Sequence, residues 1–252
     1  MYKKHDLFLE PKNQNVKIWR YIDFTKLISL LETTQLFFAK SDLFEDPFEG
    51  SWPLRNIEER LLMPHEIPDE MATVYYDVMK NVTDFYRFFK GNVAISCWHM
   101  NEHESAAMWK LYLKSNEGIA VQSTFSRLKE CITDDRNVHL GKVKYIDYET
   151  EKIESDNAFS PYMHKRMSYD HEKEIRAVVA IMPKKIEGGL DFTQPVMSGG
   201  LNINVDIKIL IENIYIAPTA PAWLFDLVKS VVLRYGYDFP VTQSQMNKAP
   251  LF

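Results

Sequence analysis

One run of eleven residues constrains the fold more than any other part of this sequence: Glu172 to Met182, which reads EKEIRAVVAIM. From Ala177 onward both alternating sets of side chains are apolar, which is typical of a strand that is buried on both faces. Glu172, Glu174 and Arg176 occupy every second position, so on a strand they share one face. The sequence therefore predicts a buried strand with charges clustered at its start.

Two explanations fit this charged start. Two carboxylates on one face repel each other unless a positive charge lies between or against them. The row is therefore either a site at the mouth of a cleft or a salt-bridge cluster in which Arg176 neutralises the glutamates. The sequence leaves both open.

The rest of the chain alternates only partly between strands and helices. Strands are predicted at residues 16–21, 35–39, 93–98, 118–122, 138–147 and 209–216, and helices after Asp23, over 69–91, over 104–114 and after Pro221. The apolar stripe of the helix over 69–91 is expected to pack in the core, and Trp223 and Leu227 are expected to point inward. Several of these strands are close enough to pair as hairpins. The pattern predicts an α+β fold with a mixed, mostly antiparallel sheet packed with helices. We expect one globular domain over residues 16–252 and a flexible N-terminal arm over residues 1–15.

Composition narrows the class of protein. A chain of 252 residues with 46% hydrophobic residues can bury a large core without disulfides. The net charge of -5 does not indicate a nucleic-acid partner. Cys97 and Cys131 are the only cysteines, and the N-terminus lacks an apolar leader, so we expect a cytoplasmic protein outside the membrane.

The common phosphate-binding and nucleophile motifs are absent. The chain contains no G-x-G-x-x-G, no G-x-x-x-x-G-K-[ST] and no G-x-S-x-G. His99 and His103 have the spacing of a helical metal pair, but His99 ends a predicted strand. We therefore predict no metal site. Trp109 and Tyr112 lie three apart on a predicted helix and form an aromatic ridge, which fits either core packing or stacking on a planar ligand.

At several motifs the chain resembles a prokaryotic family called domain of unknown function 2971. These motifs are Trp19-Arg20-Tyr21, the turn Asp46-Pro47-Phe48-Glu49-Gly50, Ser96-Cys97-Trp98, Met108-Trp109-x-x-Tyr112, Glu172-x-Glu174-x-Arg176 and Ile216-Ala217-Pro218. The resemblance implies a prokaryotic intracellular protein and supplies no activity.

The order of Arg20, Ser96 and Glu174 also resembles ADP-ribosyltransferases. That resemblance implies that NAD is the substrate and that Glu174 stabilises the oxocarbenium ion, which forms when the bond between nicotinamide and ribose breaks. Glu172 would orient the ribose or the acceptor, and Arg20 would hold the ribose or a phosphate.

The same resemblance gives the remaining pocket residues. Tyr21, Ser96, Trp109, Tyr112 and Arg176 would bind the nucleotide. The acceptor is open, and with water as acceptor the chain would be an NAD-consuming glycohydrolase with a role in phage defence or as a toxin.

Two alternatives stand beside this hypothesis. The first is a non-catalytic ligand-binding or sensor module that recognises a small nucleotide through Trp109, Tyr112 and Arg176. The second is a metal-dependent nuclease in which Asp46, Glu49, Glu172 and Glu174 hold Mg²⁺.

Overall fold

The structure is a computed structural model that describes residues 1–112, 116–183, 185, 187–191, 193 and 197–250. The strands are β1 (Lys17–Asp23), β2 (Gln35–Lys40), β3 (Val93–Met100), β4 (Gly118–Thr124), β5 (His139–Lys142), β6 (Lys144–Ile146), β7 (His164–Arg166), β8 (Glu174–Ala180), β9 (Gly200–Asn204), β10 (Asn213–Ile216) and β11 (Val241–Gln243). The α-helices are α1 (Phe24–Thr33), α2 (Leu54–Leu61), α3 (Ala72–Lys90), α4 (Ala106–Tyr112), α5 (Phe125–Glu130), α6 (Ile207–Leu210) and α7 (Ala222–Arg234).

A large sheet organises the molecule, with β3 near its centre. One edge of β3 pairs with β8 along seven residue positions, and β8 pairs with β5. The other edge of β3 is shared: β1 pairs with its C-terminal end and β2 with its N-terminal end. The β1 branch continues through β4 and β10 to β11, and the β2 branch ends at β9. Among the described strands of this sheet, β10 and β11 form the one parallel pair, so the prediction of a mixed, mostly antiparallel α+β fold is confirmed.

The main hydrophobic core covers one face of this sheet, which we call the core face. Helices α1, α5, α6 and α7 pack there through Leu27, Leu31, Phe125, Leu128, Leu210, Leu224 and Val228. Asp23 caps α1 by accepting from the backbone N–H of Lys26, as expected for a helix that begins after an aspartate. The second face carries smaller clusters around Tyr162 and around Trp109, and we call it the charged face.

The N-terminal residues pack on the domain, in contrast to the predicted flexible arm. Tyr2 forms a β-bridge with Val138. Phe8 is buried, and its backbone lies against Gly141, where an added Cβ would approach the Phe8 backbone to 2.8 Å. Periodicity does not predict this packing, because the segment is polar apart from a few aromatic and aliphatic residues.

Two helical predictions need correction. The apolar stripe of α3 was expected to pack in the core, but Phe89 is its one buried residue. Trp223 and Leu227 of α7 were expected to point inward, and they are 55% and 38% exposed.

The predicted strand 209–216 begins as helix α6, and only residues 213–216 form β10. The predicted helix 104–114 is seen as α4, and residues 113 and 114 lie outside the described residues. No helix among the described residues is long and apolar enough to cross a membrane.

Candidate functional site

The eight predicted site residues do not line one pocket, because the sheet separates them. Ser96 pairs with Ala177, and its side chain lies on the core face. Arg20 lies on that same face, since its guanidinium donates to Ser96 Oγ at 2.8 Å. Glu174 and Arg176 pair with His99 and Cys97, and side chains alternate along a strand. They therefore lie on the charged face, opposite Arg20 and Ser96.

Arg20 occupies the fork where β1 and β2 separate at the edge of β3. Besides Ser96, it donates to the backbone carbonyl of Phe37 on β2 at 2.7 Å. Burial lowers its pKa to about 10, which still leaves it charged at neutral pH. Ser96 Oγ also accepts from the indole N–H of Trp98 at 3.1 Å. This cluster joins the two branches of the sheet, and its polar groups are occupied by protein partners.

Tyr21 and Trp109 pack together on the charged face. Their rings meet edge to face with centroids 4.9 Å apart, and both residues are buried. The Tyr21 hydroxyl accepts from the Ser105 backbone N–H, and Trp109 Nε1 donates to Glu104. These two aromatic residues serve as packing between α4 and the sheet, which is one of the two roles that the sequence allowed for Trp109.

The predicted glutamates belong to a buried network of alternating charges. Arg176 is fully buried, and its two Nη atoms contact both carboxylate oxygens of Glu49 at 2.5 and 2.8 Å. Its Nε donates to Glu174 Oε2 at 2.7 Å. Lys165 then donates to Glu174 Oε1 at 2.7 Å and to Glu172 Oε2 at 2.5 Å. The order is therefore acid, base, acid, base, acid, ending at Glu172.

This arrangement leaves little freedom for Glu174. Both of its oxygens contact cations, and its pKa is lowered well below its ordinary value: burial alone would raise it, and Arg176 and Lys165 outweigh that effect. The guanidinium of Arg176 is also fully hydrogen-bonded within the protein, because its Nη1 donates to the carbonyl of Tyr162 at 2.7 Å in addition to its contacts with Glu49 and Glu174. Neither side chain is free to bind a nucleotide. The salt-bridge explanation of the charged strand start fits Glu174 and Arg176.

Glu172 differs from Glu174 in both position and charge state. It lies in the 3₁₀ helix Met167–Glu172, outside the strand, and Lys173 turns the chain with a φ of 42°. The prediction that Glu172 and Glu174 share one face of a strand is therefore wrong. Their carboxylates lie close together because both contact Lys165. Burial raises the pKa of Glu172 to about 7, and a hydrogen bond with Glu174 and its negative charge add to that rise. Near neutral pH this carboxyl exchanges a proton.

Tyr112 and His99 lie beside Glu172. Tyr112 is 48% exposed as a residue, but burial and the charges of Glu172 and Glu174 raise the pKa of its hydroxyl, so the hydroxyl end lies near the carboxylates. His99 Nδ1 donates to the Glu172 carbonyl at 2.6 Å. Its Nε2 is buried without a partner among the described residues. Burial lowers the pKa of His99, so the ring is neutral and Nε2 is an acceptor.

Sequence reasoning missed Lys165 and His99 as members of this site. Lys165 stands in the unremarkable run HKRM, and only its packing between two glutamates distinguishes it. His99 was considered only as a metal ligand. The structure gives no support to a metal site: Asp46 pairs with Arg166 at 2.7 Å, and Glu49 pairs with Arg176. Among the described residues no group of three or more His, Cys, Asp or Glu could hold a metal ion.

Comparisons with known proteins add no constraint on function. No family model matches this chain, and neither the curated proteins nor the solved structures give a match. The resemblances of the motifs to other families therefore stay predictions.

Proposed function

We propose that this chain is an enzyme that breaks the N-glycosidic bond of NAD or a related nucleotide, and that the carboxylate of Glu172 is its general base. The observation that supports Glu172 is its place at the end of the network. Among the described residues its cation contact is Lys165, and its pKa is raised to about 7 by burial and by Glu174. A group with this pKa can take up or release a proton near neutral pH.

The proposal moves the reaction from Glu174 to Glu172. Glu174 holds Lys165 in place and lowers the cost of a proton on Glu172, so it is a positioning residue. NAD is the first substrate to test because of the resemblance to ADP-ribosyltransferases, and no contact in the structure selects it.

In the hydrolytic case water replaces nicotinamide on the ribose of NAD. The bond between ribose C1′ and the nicotinamide nitrogen breaks, and its electron pair stays on the nicotinamide ring, which becomes neutral. Water forms the new bond to C1′, and its proton passes to ionised Glu172 and then to solvent. The products are nicotinamide, ADP-ribose and one proton. An acceptor hydroxyl in place of water gives the transferase case.

Nicotinamide release from NAD tests this proposal. We expect release by the wild-type chain and a loss of about 100-fold or more in Glu172→Gln, which has the same shape and cannot take the proton. Glu130→Gln, an exposed glutamate on α5, is the matched control and should keep the wild-type rate. Thermal unfolding of each variant establishes that it is folded.

Two results would count against the proposal. If the wild-type chain releases no nicotinamide above the buffer rate, the activity is wrong. If Glu172→Gln releases nicotinamide as fast as wild type, the role of Glu172 is wrong. A rate that rises with pH through about 7 in wild type is the further signature, because only the ionised carboxyl can act as a base.

A further inference from the structure

A groove between α2 and α3 lies outside the charged network and has a different chemical character. Its volume is about 440 Å³, within the usual range for small-ligand sites. The lining residues are Gly50, Ser51, Trp52, Ile57, Arg60, Leu61, Tyr76, Met79, Lys80, Thr83, Tyr86, Arg87 and Lys90. None of the residues proposed to act on NAD is among them.

Buried and partly buried hydrogen bonds fix the positions of the two helices that form the groove. The side chain of Asn56 is buried and exchanges two hydrogen bonds of 2.9 Å with the backbone of Ile153. The Tyr75 hydroxyl contacts the carbonyls of Arg60 and Leu62, both at 2.9 Å, and so joins the end of α2 to α3. The groove is therefore a feature of the folded chain and does not depend on a ligand to shape it.

One wall of the groove is an aromatic surface covered by a cation. Trp52 and Tyr86 meet with ring centroids 5.2 Å apart. The guanidinium of Arg60 lies 4.0 Å from the Trp52 ring centroid and 4.9 Å from that of Tyr86. Flat aromatic rings and a guanidinium plane both stack on nucleobases. Trp52 Nε1 is also buried without an acceptor among the described residues.

The groove is positively charged although the whole chain is not. Its lining contains four cations, Arg60, Lys80, Arg87 and Lys90, and no carboxylate, whereas the net charge of the chain is -5. Arg87 has an exposed ion pair with Asp84 at 3.3 Å, and neither Lys80 nor Lys90 forms an ion pair with another described residue. An anionic ligand would complement this surface.

The apolar part of the lining is open to solvent. Ile57 is 45% exposed, Leu61 60% and Tyr76 50%, and none of these three residues packs in the main core. A ligand that is both planar and anionic would cover the apolar wall with its ring and place its charges against the lysines. A phosphate ion alone would leave the apolar wall exposed.

We infer that this groove is a binding site for a 5′-nucleotide, with the base stacked beside Trp52, Arg60 and Tyr86 and the phosphates held by Lys80, Arg87 and Lys90. The inference goes beyond the proposed function and does not depend on it. The groove and the network meet in the chain, since Glu49 binds Arg176 and the next residue, Gly50, lines the groove.

Calorimetric titration with ADP tests the inference on the full chain. We expect ADP to bind, and adenosine and inorganic pyrophosphate to bind at least about tenfold more weakly, because each lacks half of the recognised chemistry. The double variant Lys80→Gln/Lys90→Gln should weaken ADP binding at least about tenfold, and added salt should weaken the wild-type complex. Lys80 is exposed and Lys90 only partly buried, so this variant should fold normally.

Matched controls separate the groove from the rest of the chain. Lys229→Gln, an exposed lysine on α7, should keep wild-type affinity. Arg60→Leu should lose about tenfold or more, because the base stacks on the guanidinium plane that covers the buried Trp52 ring, while Arg55→Leu, which removes an exposed arginine from the same helix, should not. Glu172→Gln should bind ADP as wild type does, so a failure of the NAD proposal leaves this result unchanged.

The inference is overturned if ADP does not bind, or if it binds and the lysine double variant keeps full affinity. Binding of pyrophosphate as tightly as ADP would reduce the groove to a simple anion surface and would equally contradict it. Binding of a single-stranded oligonucleotide without binding of ADP would assign the groove to nucleic acid and reject the mononucleotide.

Discussion

Replacing Arg176 by methionine removes the central cation of the buried network while keeping much of the side-chain volume. Arg176 is fully buried, and it contacts both oxygens of Glu49, Glu174 and the carbonyl of Tyr162. Removing one partner of a buried ion pair costs about 3–5 kcal/mol, because the remaining charge has no compensation. Two glutamates lose their contact here, so we expect a loss of about 4 kcal/mol in the free energy of unfolding.

Urea unfolding followed by fluorescence measures this loss as a lower transition midpoint with an unchanged slope. The corresponding fall in Tm is roughly 10 °C for a domain of this size. Arg234→Met, an exposed arginine at the end of α7, is the matched control and should change stability by less than about 0.5 kcal/mol.

The double variant Arg176→Met/Glu49→Met should lose less than the sum of the single variants, since it removes an uncompensated charge. A loss under about 1 kcal/mol for Arg176→Met would refute the reasoning, because that is the value of an exposed pair.

Three further predictions follow from the packing and the charges. In wild type the raised pKa of Glu172 makes the free energy of unfolding fall by up to about 3 kcal/mol as pH rises from about 4.5 to about 7. Glu172→Gln should remove this pH dependence, and urea unfolding of both proteins at each pH measures the difference. Gly50→Ala should cost at least about 2 kcal/mol by thermal unfolding, since Gly50 has a φ of 66° and an added Cβ would lie 2.4 Å from Tyr162 Cε1. Phe8→Ala should lower the free energy of unfolding by about 3 kcal/mol, because Phe8 is buried against the domain. A loss below about 0.5 kcal/mol would instead support the predicted flexible arm.

The sign of the pH prediction depends on which state binds more protons. Between 4.5 and about 7 the folded chain keeps a proton on Glu172 that the unfolded chain has released, so stability falls as pH rises. Glu174 acts in the other direction and only at lower pH: its pKa is lowered, so its contribution is lost as pH falls below 4.5. The pKa values of His99, His139 and His164 are lowered by burial, and these residues oppose Glu172 up to pH 6.5. The comparison with Glu172→Gln cancels the histidines, and Glu174 does not contribute to it above pH 4.5.

The sequence predicted the fold class because strand and helix periodicity is local. The helix after Asp23 and the strand that contains Arg176 are both where the patterns indicate. The exposed stripe of α3 could not be anticipated, since an apolar pattern says that a face needs a partner but not which partner covers it. The position of Trp223 fails for the same reason.

The site was harder to predict than the fold because it depends on pairing across the sheet. Arg20, Ser96 and Glu174 follow each other in the expected order, but strand alternation places the first two on the core face and the third on the charged face. If β8 paired with β3 one position further along, the side chains of β8 would lie on the opposite face. A single sequence does not predict that pairing register. Lys165 carries no motif at all, yet it joins Glu172 to Glu174.

The proposed chemistry depends on the raised pKa of Glu172. Carbon-detected NMR of the protein labelled at glutamate carboxyl carbons, with the Glu172 signal assigned by its loss in Glu172→Gln, measures the pKa of this carboxyl directly. We predict a midpoint near pH 7 that falls when Glu174 is replaced by glutamine, because the charge and hydrogen bond of Glu174 raise it. A midpoint below about 5 would contradict the account, since Glu172 would then be a permanently ionised partner of Lys165 with no proton to exchange near neutral pH.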